Sequence, residues 1–102
     1  MSTLHTVNKS PFNHATLSQC ARLCHDQDAI VLLEDGVYGA LTSSPCATDL
    51  ASLLARGVAL FALECDLRAR GLEARLLPGI QVTDERGFVR LSLEHKTLQS
   101  WY

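Results

Sequence analysis

Two short, unbroken apolar runs constrain this chain more than any other feature. Ala29-Ile30-Val31-Leu32-Leu33 stops at Glu34-Asp35-Gly36, and Val58-Ala59-Leu60-Phe61-Ala62-Leu63 stops at Glu64-Cys65-Asp66. Neither run alternates, so neither has the wet face of a half-exposed strand, and both are too short for a buried helix. Each reads as a strand buried on both sides, the habit of parallel sheets. Parallel neighbours need long crossover connections, usually helical, so the remaining segments must supply helices on the sheet.

They do so in turn. Thr3-Leu4-His5-Thr6-Val7 is a short first strand ended by the polar turn Asn8-Lys9-Ser10-Pro11. Across residues 13–25 the period changes: Leu17, Cys20, Ala21 and Cys24 fall at i, i+3, i+4 and i+7, one face of a helix, with Asn13 or Thr16 expected to cap it. Residues 37–41 suit either a short helix or an extended piece. Ser44-Pro45 offers a capping hydroxyl and a first-turn proline for a second helix through Leu50, Leu53 and Leu54 to near Gly57. Asp66-Leu67-Arg68-Ala69-Arg70-Gly71 predicts a short helix closed by glycine. Pro78-Gly79 precedes a strand at Ile80-Gln81-Val82-Thr83. Asp84 caps a last helix with Phe88, Val89, Leu91 and Leu93, and residues 97–102 predict a closing strand. The expectation is α/β: a single small domain over residues 1–102, with a mostly parallel β-sheet flanked by helices. Sites in such folds gather at the carboxyl ends of strands, here Asn8-Lys9-Ser10, Glu34-Asp35-Gly36, Glu64-Cys65-Asp66 and Thr83-Asp84.

Composition narrows the function classes. The 102 residues are 47% apolar and 20% charged, which excludes global disorder. A formal charge of −2 argues against a nucleic-acid groove, which shows as a basic surplus. No apolar run approaches the roughly 20 residues of a membrane span, and Met1-Ser2-Thr3-Leu4-His5 lacks a signal peptide's basic start, so a soluble, cytoplasmic protein is expected. Cysteines at 20, 24, 46 and 65 then read as free thiols. They form no Cys-x-x-Cys pair, and Cys20, Cys24 and His25 make one ligand cluster without a second, so no metal is expected.

No Walker loop, G-x-G-x-x-G, nucleophile elbow or His-Glu-x-x-His is present, and no cofactor is expected. Asp35 and Asp66 could meet at adjacent strand ends and share acid–base work, although strand-end aspartates more often cap the next helix. Cys20 and Cys24 share an apolar helix face and read first as small core residues, with His14 and His25 flanking them. Cys46 falls in an expected first helical turn, where the dipole would lower a thiol pKa, and Cys65 ends a strand. Residue pattern alone leaves these thiols in competition. Arg68 and Arg70 could meet an acidic partner or line a solvated face. Trp101-Tyr102 at the end of the chain needs something to dock on, either its own sheet or a neighbour.

The segments Leu4-His5-Thr6-Val7-Asn8-Lys9-Ser10-Pro11-Phe12, Glu34-Asp35-Gly36-Val37-Tyr38 and Asp66-Leu67-Arg68-Ala69-Arg70-Gly71 resemble the TusB/DsrH family of sulfur-relay proteins. So does the ending from Gly87-Phe88-Val89-Arg90-Leu91 through His95 to Gln99-Ser100-Trp101. The resemblance spans essentially the whole chain, and Cys20 with Asn8-Lys9-Ser10-Pro11-Phe12 inclines it towards the DsrH-type branch. It implies a DsrE-like fold in a dimer of heterotrimers with TusC/DsrF-like and TusD/DsrE-like subunits, served by TusE/DsrC-type carriers. Such a complex passes persulfide sulfur towards 2-thiolation of the transfer-RNA wobble uridine or towards dissimilatory sulfur oxidation, with the principal cysteine on the TusD/DsrE-like subunit.

The resemblance singles out Cys20 as the candidate catalytic thiol of this chain and adds nothing to Cys24, Cys46 or Cys65. Sulfur transfer between thiols needs neither metal nor nucleotide, which fits the absence of other motifs. The alternatives are a structural subunit of the same complex with Cys20 buried, and a stand-alone α/β binding module using Glu34-Asp35-Gly36 and Asp66.

Overall fold

The computed structural model describes residues 2–102. Five parallel strands form one sheet in the order β4-β3-β2-β1-β5: β1 (Thr3–Val7), β2 (Ala29–Leu32), β3 (Ala59–Leu63), β4 (Gln81–Thr83) and β5 (Thr97–Trp101). All four residues of β2 are buried, as its unbroken apolar run requires. The α/β expectation is met, and the sheet is parallel throughout.

Alternation along the strands separates two faces. Val7, Ile30, Leu32, Leu60 and Ala62 point to one face. There they meet Leu17, Cys20 and Ala21 of α1 (Thr16–Leu23), Leu50 and Leu53 of α2 (Ala47–Ala55), and Leu67 of α3 (Glu64–Ala69). Val37 and Ala40, from a 3₁₀ segment over Glu34–Ala40, complete this main core and resolve the ambiguous stretch as helical. A leucine buried as fully as Leu17 contributes about 1.5–3 kcal/mol over an exposed one. On the opposite face the buried hydrophobic cluster is smaller: Leu4, Ala29 and Val31, backed by Phe61 and covered by Phe88 and Leu91 of α4 (Glu85–Glu94).

Helix ends depart from expectation in two places. Neither Asn13 nor Thr16 caps α1: Ala15 holds the cap position without a side-chain bond, and Thr16 is already helical. The Ser44 hydroxyl does accept a hydrogen bond from the Cys46 amide at 3.0 Å, but α2 proper begins at Ala47, so Pro45 lies before the first turn. Asp84 caps α4 as expected, accepting from the Gly87 amide at 2.8 Å.

Gly36 has a steric reason to be glycine, because a Cβ there would overlap the Val7 carbonyl oxygen. The preceding Glu34 carries a left-handed φ of 51°, which costs a side-chain-bearing residue about 1–2 kcal/mol.

Candidate functional site

The strand ends do gather clefts. One of about 240 Å³ lies above β1 and β2, between Asn8-Lys9-Ser10 and Glu34-Asp35. Within it, the Arg70 guanidinium bonds the Asp35 carboxylate at 2.9 Å and lies 3.6 Å from Asp66. Asp66 also accepts the Glu34 amide at 2.7 Å, which helps hold that residue's left-handed turn. Asp35 and Asp66 are therefore brought together through a shared arginine rather than as a bare acid–base pair. Arg68 pairs with Glu64 at 3.3 Å in the solvated arrangement expected of a short helix. A second cleft, of about 310 Å³, lies above β3 and β4 and is lined by Cys65, Glu64, Asp84, Glu85 and Arg86.

The thiols divide sharply by position. Cys20 projects from the middle of α1 into the main core with 0% of its surface exposed. Burial pushes its pKa up to about 12, with Cys24 and the Asp28 carboxylate adding to the rise. Cys24 closes α1, also buried, and is pushed up to about 11 by burial and then by Asp28. Cys46 sits at the cap position of α2, but burial raises its pKa, so the expected lowering by the helix dipole is overridden. A thiolate is the sulfur nucleophile, so none of these three is poised in the closed domain. Cys65, in the first turn of α3, is the exposed thiol.

Sequence spacing gave no hint of the most developed polar arrangement. Asp28, in the loop before β2, is buried yet accepts three hydrogen bonds: from the Thr3 amide at 2.9 Å, the His25 amide at 3.0 Å and His5 Nε2 at 2.9 Å. Burial acts to raise its pKa, but the three donors outweigh it and hold the carboxyl below its ordinary value. On the far side of the imidazole, Trp101 Nε1 lies 3.0 Å from His5 Nδ1. An indole N–H can only donate, so Nδ1 must present its lone pair and Nε2 must carry the proton given to Asp28. The C-terminal aromatic thus docks on its own sheet, 96 residues from its partner.

His5, Cys24 and Asp28 place one ligand atom each within 4.8 Å of one another, a different cluster from the Cys20, Cys24 and His25 set weighed in the sequence. The tautomer set by Trp101 argues against ligation: Nε2 carries a proton, not a free lone pair. The Asp28 oxygens are also already occupied by N–H donors. The arrangement can fasten β5 and the α1–β2 loop to β1.

Comparison with known proteins agrees with the fold and supplies the family. The family described as DsrH like protein matches residues 9–98. Protein TusB of Pectobacterium parmentieri is 37% identical over 98 residues, covering 96% of this chain and 99% of that protein. Protein TusB of Yersinia pestis (strain Pestoides F) is 39% identical over the same length and coverage. Among solved structures, the ychN protein of E. coli superposes with a TM-score of 0.85 at 16% identity, covering 98% of this chain and 99% of that one. A protein of unknown function from Methanobacterium thermoautotrophicum gives 0.76 at 21% identity, covering 96% and 97%. No helix among the described residues is long and apolar enough to cross a membrane. With the family and these relatives matching over nearly its full length, the chain belongs to the DsrH/TusB family.

Proposed function

We propose that this chain is an assembly subunit of a cytoplasmic sulfur relay, working beside TusC/DsrF-like and TusD/DsrE-like chains in a dimer of heterotrimers and served by TusE/DsrC-type carriers. Both relatives described bear the TusB name, which favours the arm leading to 2-thiolation of the wobble uridine over the DsrH-type branch suggested by Cys20. In such a relay an acceptor thiolate attacks the outer sulfur of a donor persulfide. A new S–S bond forms, the donor's S–S bond breaks, and the electron pair leaves on the donor as its thiolate. The observation that carries the assembly reading is the enclosure of Cys20. A donor must reach Sγ, and Sγ is packed among Leu17, Ala21 and the strands. For Cys20 to serve as a sulfur carrier, α1 would have to lift from the sheet and expose the main core.

Relay activity of the reconstituted complex tests this reading. Cys20→Ala removes the thiol without adding a buried hydroxyl, so sulfur flux should stay within about twofold of the parent, while omission of this chain abolishes it. Loss of flux in Cys20→Ala, with the complex intact by size-exclusion chromatography, would move the sulfur onto this chain.

A further inference from the structure

The sheet ends in two edges, and they are built differently. The β4 edge has three residues, follows Pro78-Gly79 and runs into Asp84, Glu85 and Arg86. The β5 edge has five residues with no proline and no charged side chain, and Thr97, Leu98, Gln99 and Ser100 are all exposed. Folded proteins blunt an edge of this length with a charge, a proline or a covering element, and β5 has none of these among the described residues. The register with β1, and the Thr97 amide bonded to the Ser2 carbonyl, turn Thr97, Gln99 and Trp101 towards β1. In such a ladder the residues between them, Leu98 and Ser100, direct their N–H and C=O groups outward. Of these four groups only the Ser100 carbonyl has a partner among the described residues, the Gln99 side-chain amide at a long 3.4 Å. Apolar surface flanks the edge on both faces. On the α1 side a cleft of about 420 Å³ is lined by Gln19, Arg22, Leu23 and Trp101, with Leu23 63% exposed. On the other side Leu98, in register with Leu4, is 54% exposed.

We infer that β5 pairs antiparallel with β5 of a second copy of this chain across a twofold axis, joining the two sheets edge to edge. A row of free N–H and C=O groups is completed by another strand, which fixes the class of occupant. A register centred on Gln99 sets Leu98 opposite the copy's Ser100, and the reverse, so the outward groups of both residues are all bonded. On the α1 side this register lays the copy's Thr97 against Trp101, and on the other side the copy's Ser100 against Leu98. The strand meets itself without like charges, and Lys96 stands opposite the copy's Tyr102 rather than another lysine. Pairing β5 with a copy's β4 would offer only three residues, in a head-to-tail contact that is not self-closing. The contact needs no relay partner, and in a dimer of heterotrimers it would form the twofold between the halves.

Sedimentation velocity on the full chain alone, from about 1 to 100 µM, tests the pairing, with residue-resolved amide exchange on the same samples. The chain should shift from monomer to dimer as concentration rises. In the dimer the Leu98 and Ser100 amides should exchange about tenfold or more slowly than in the monomer, while those of Gln99 and Trp101, already bonded to β1, change little. Leu98→Pro removes one outward N–H per copy, where an edge strand tolerates proline, and should weaken the dimer about tenfold or more. Leu98→Val keeps that N–H and should dimerise within about threefold of the parent. If Leu98→Pro loses its cooperative melt, the exchange pattern of the parent decides alone. A chain that stays monomeric up to about 100 µM, or a dimer in which Leu98 and Ser100 exchange freely, would overturn the pairing. So would a folded Leu98→Pro that dimerises as the parent does. Protection of these two amides only on adding a different like-folded chain would give the edge to that chain and equally overturn the inference. None of these results depends on sulfur flux in the reconstituted relay, so the two readings fail separately.

Discussion

Replacing Asp28 by asparagine keeps the shape of the side chain and removes half of its accepting capacity. The carboxylate receives N–H groups from Thr3 and His25 and the Nε2 proton of His5, all at 2.9–3.0 Å. An amide retains one oxygen and turns an NH₂ towards a donor. At least one charge-assisted bond, worth about 1.5–3 kcal/mol, is lost, and a buried N–H is left without an acceptor. We expect a loss of about 3 kcal/mol, or roughly 12–20 °C in Tm for a domain of this size. Urea unfolding at pH 7 measures it. The acid limb gives a sharper check, because the Asp28 pKa is held below its ordinary 3.8 in the folded chain. Its stabilisation is full above that unfolded value and is lost as pH falls through the lower folded one. The gap between parent and Asp28→Asn is therefore constant near neutrality and narrows below about pH 4. A variant within about 0.5 kcal/mol of the parent at pH 7, or a gap unchanged by acid, would refute the reasoning.

Other perturbations probe the same frame. Trp101→Phe removes the indole donor to His5 Nδ1 and should cost about 1–2 kcal/mol, with faster amide exchange confined to β5 and its pairing with β1. Gly36→Ala sets a methyl against the Val7 carbonyl and should destabilise by more than about 3 kcal/mol, read as loss of a cooperative melt. Glu34→Gly relieves the left-handed φ of 51° and forfeits only a 3.3 Å exposed bond from Asn8, so it should stabilise by about 0.5–1 kcal/mol in the same melt.

What the sequence revealed of this molecule tracks how local the signal is. Ala29-Ile30-Val31-Leu32 could only be a doubly buried strand, and Asp84 before Glu85 carried its cap in plain view. Near Ser44 the capping hydroxyl was found but the start of α2 was set too early, because it bonds the Cys46 amide in a turn that precedes the helix. Glu34 gave no warning of its left-handed backbone; the contacts that stabilise the turn come from Asn8 and Asp66, distant in the chain. The Trp101–His5–Asp28 chain was invisible because its members lie 96 and 23 residues apart. The available signal was a histidine at the centre of a short strand together with a terminal tryptophan needing a partner. For Cys20 the helical period put the thiol on the apolar face, and burial there is complete.

The central claim is that Cys20 is a packing thiol and that this chain serves the relay by assembly. The measurement that tests it most directly is persulfide mapping. The assembled complex is exposed to a persulfide donor, alkylated in its native state, and resolved by intact mass and peptide mapping. The account expects added sulfur on a partner chain and none on Cys20, with alkylation of this chain confined to the exposed Cys65. Sulfur on Cys20 in the native complex, lost in Cys20→Ala, would contradict it.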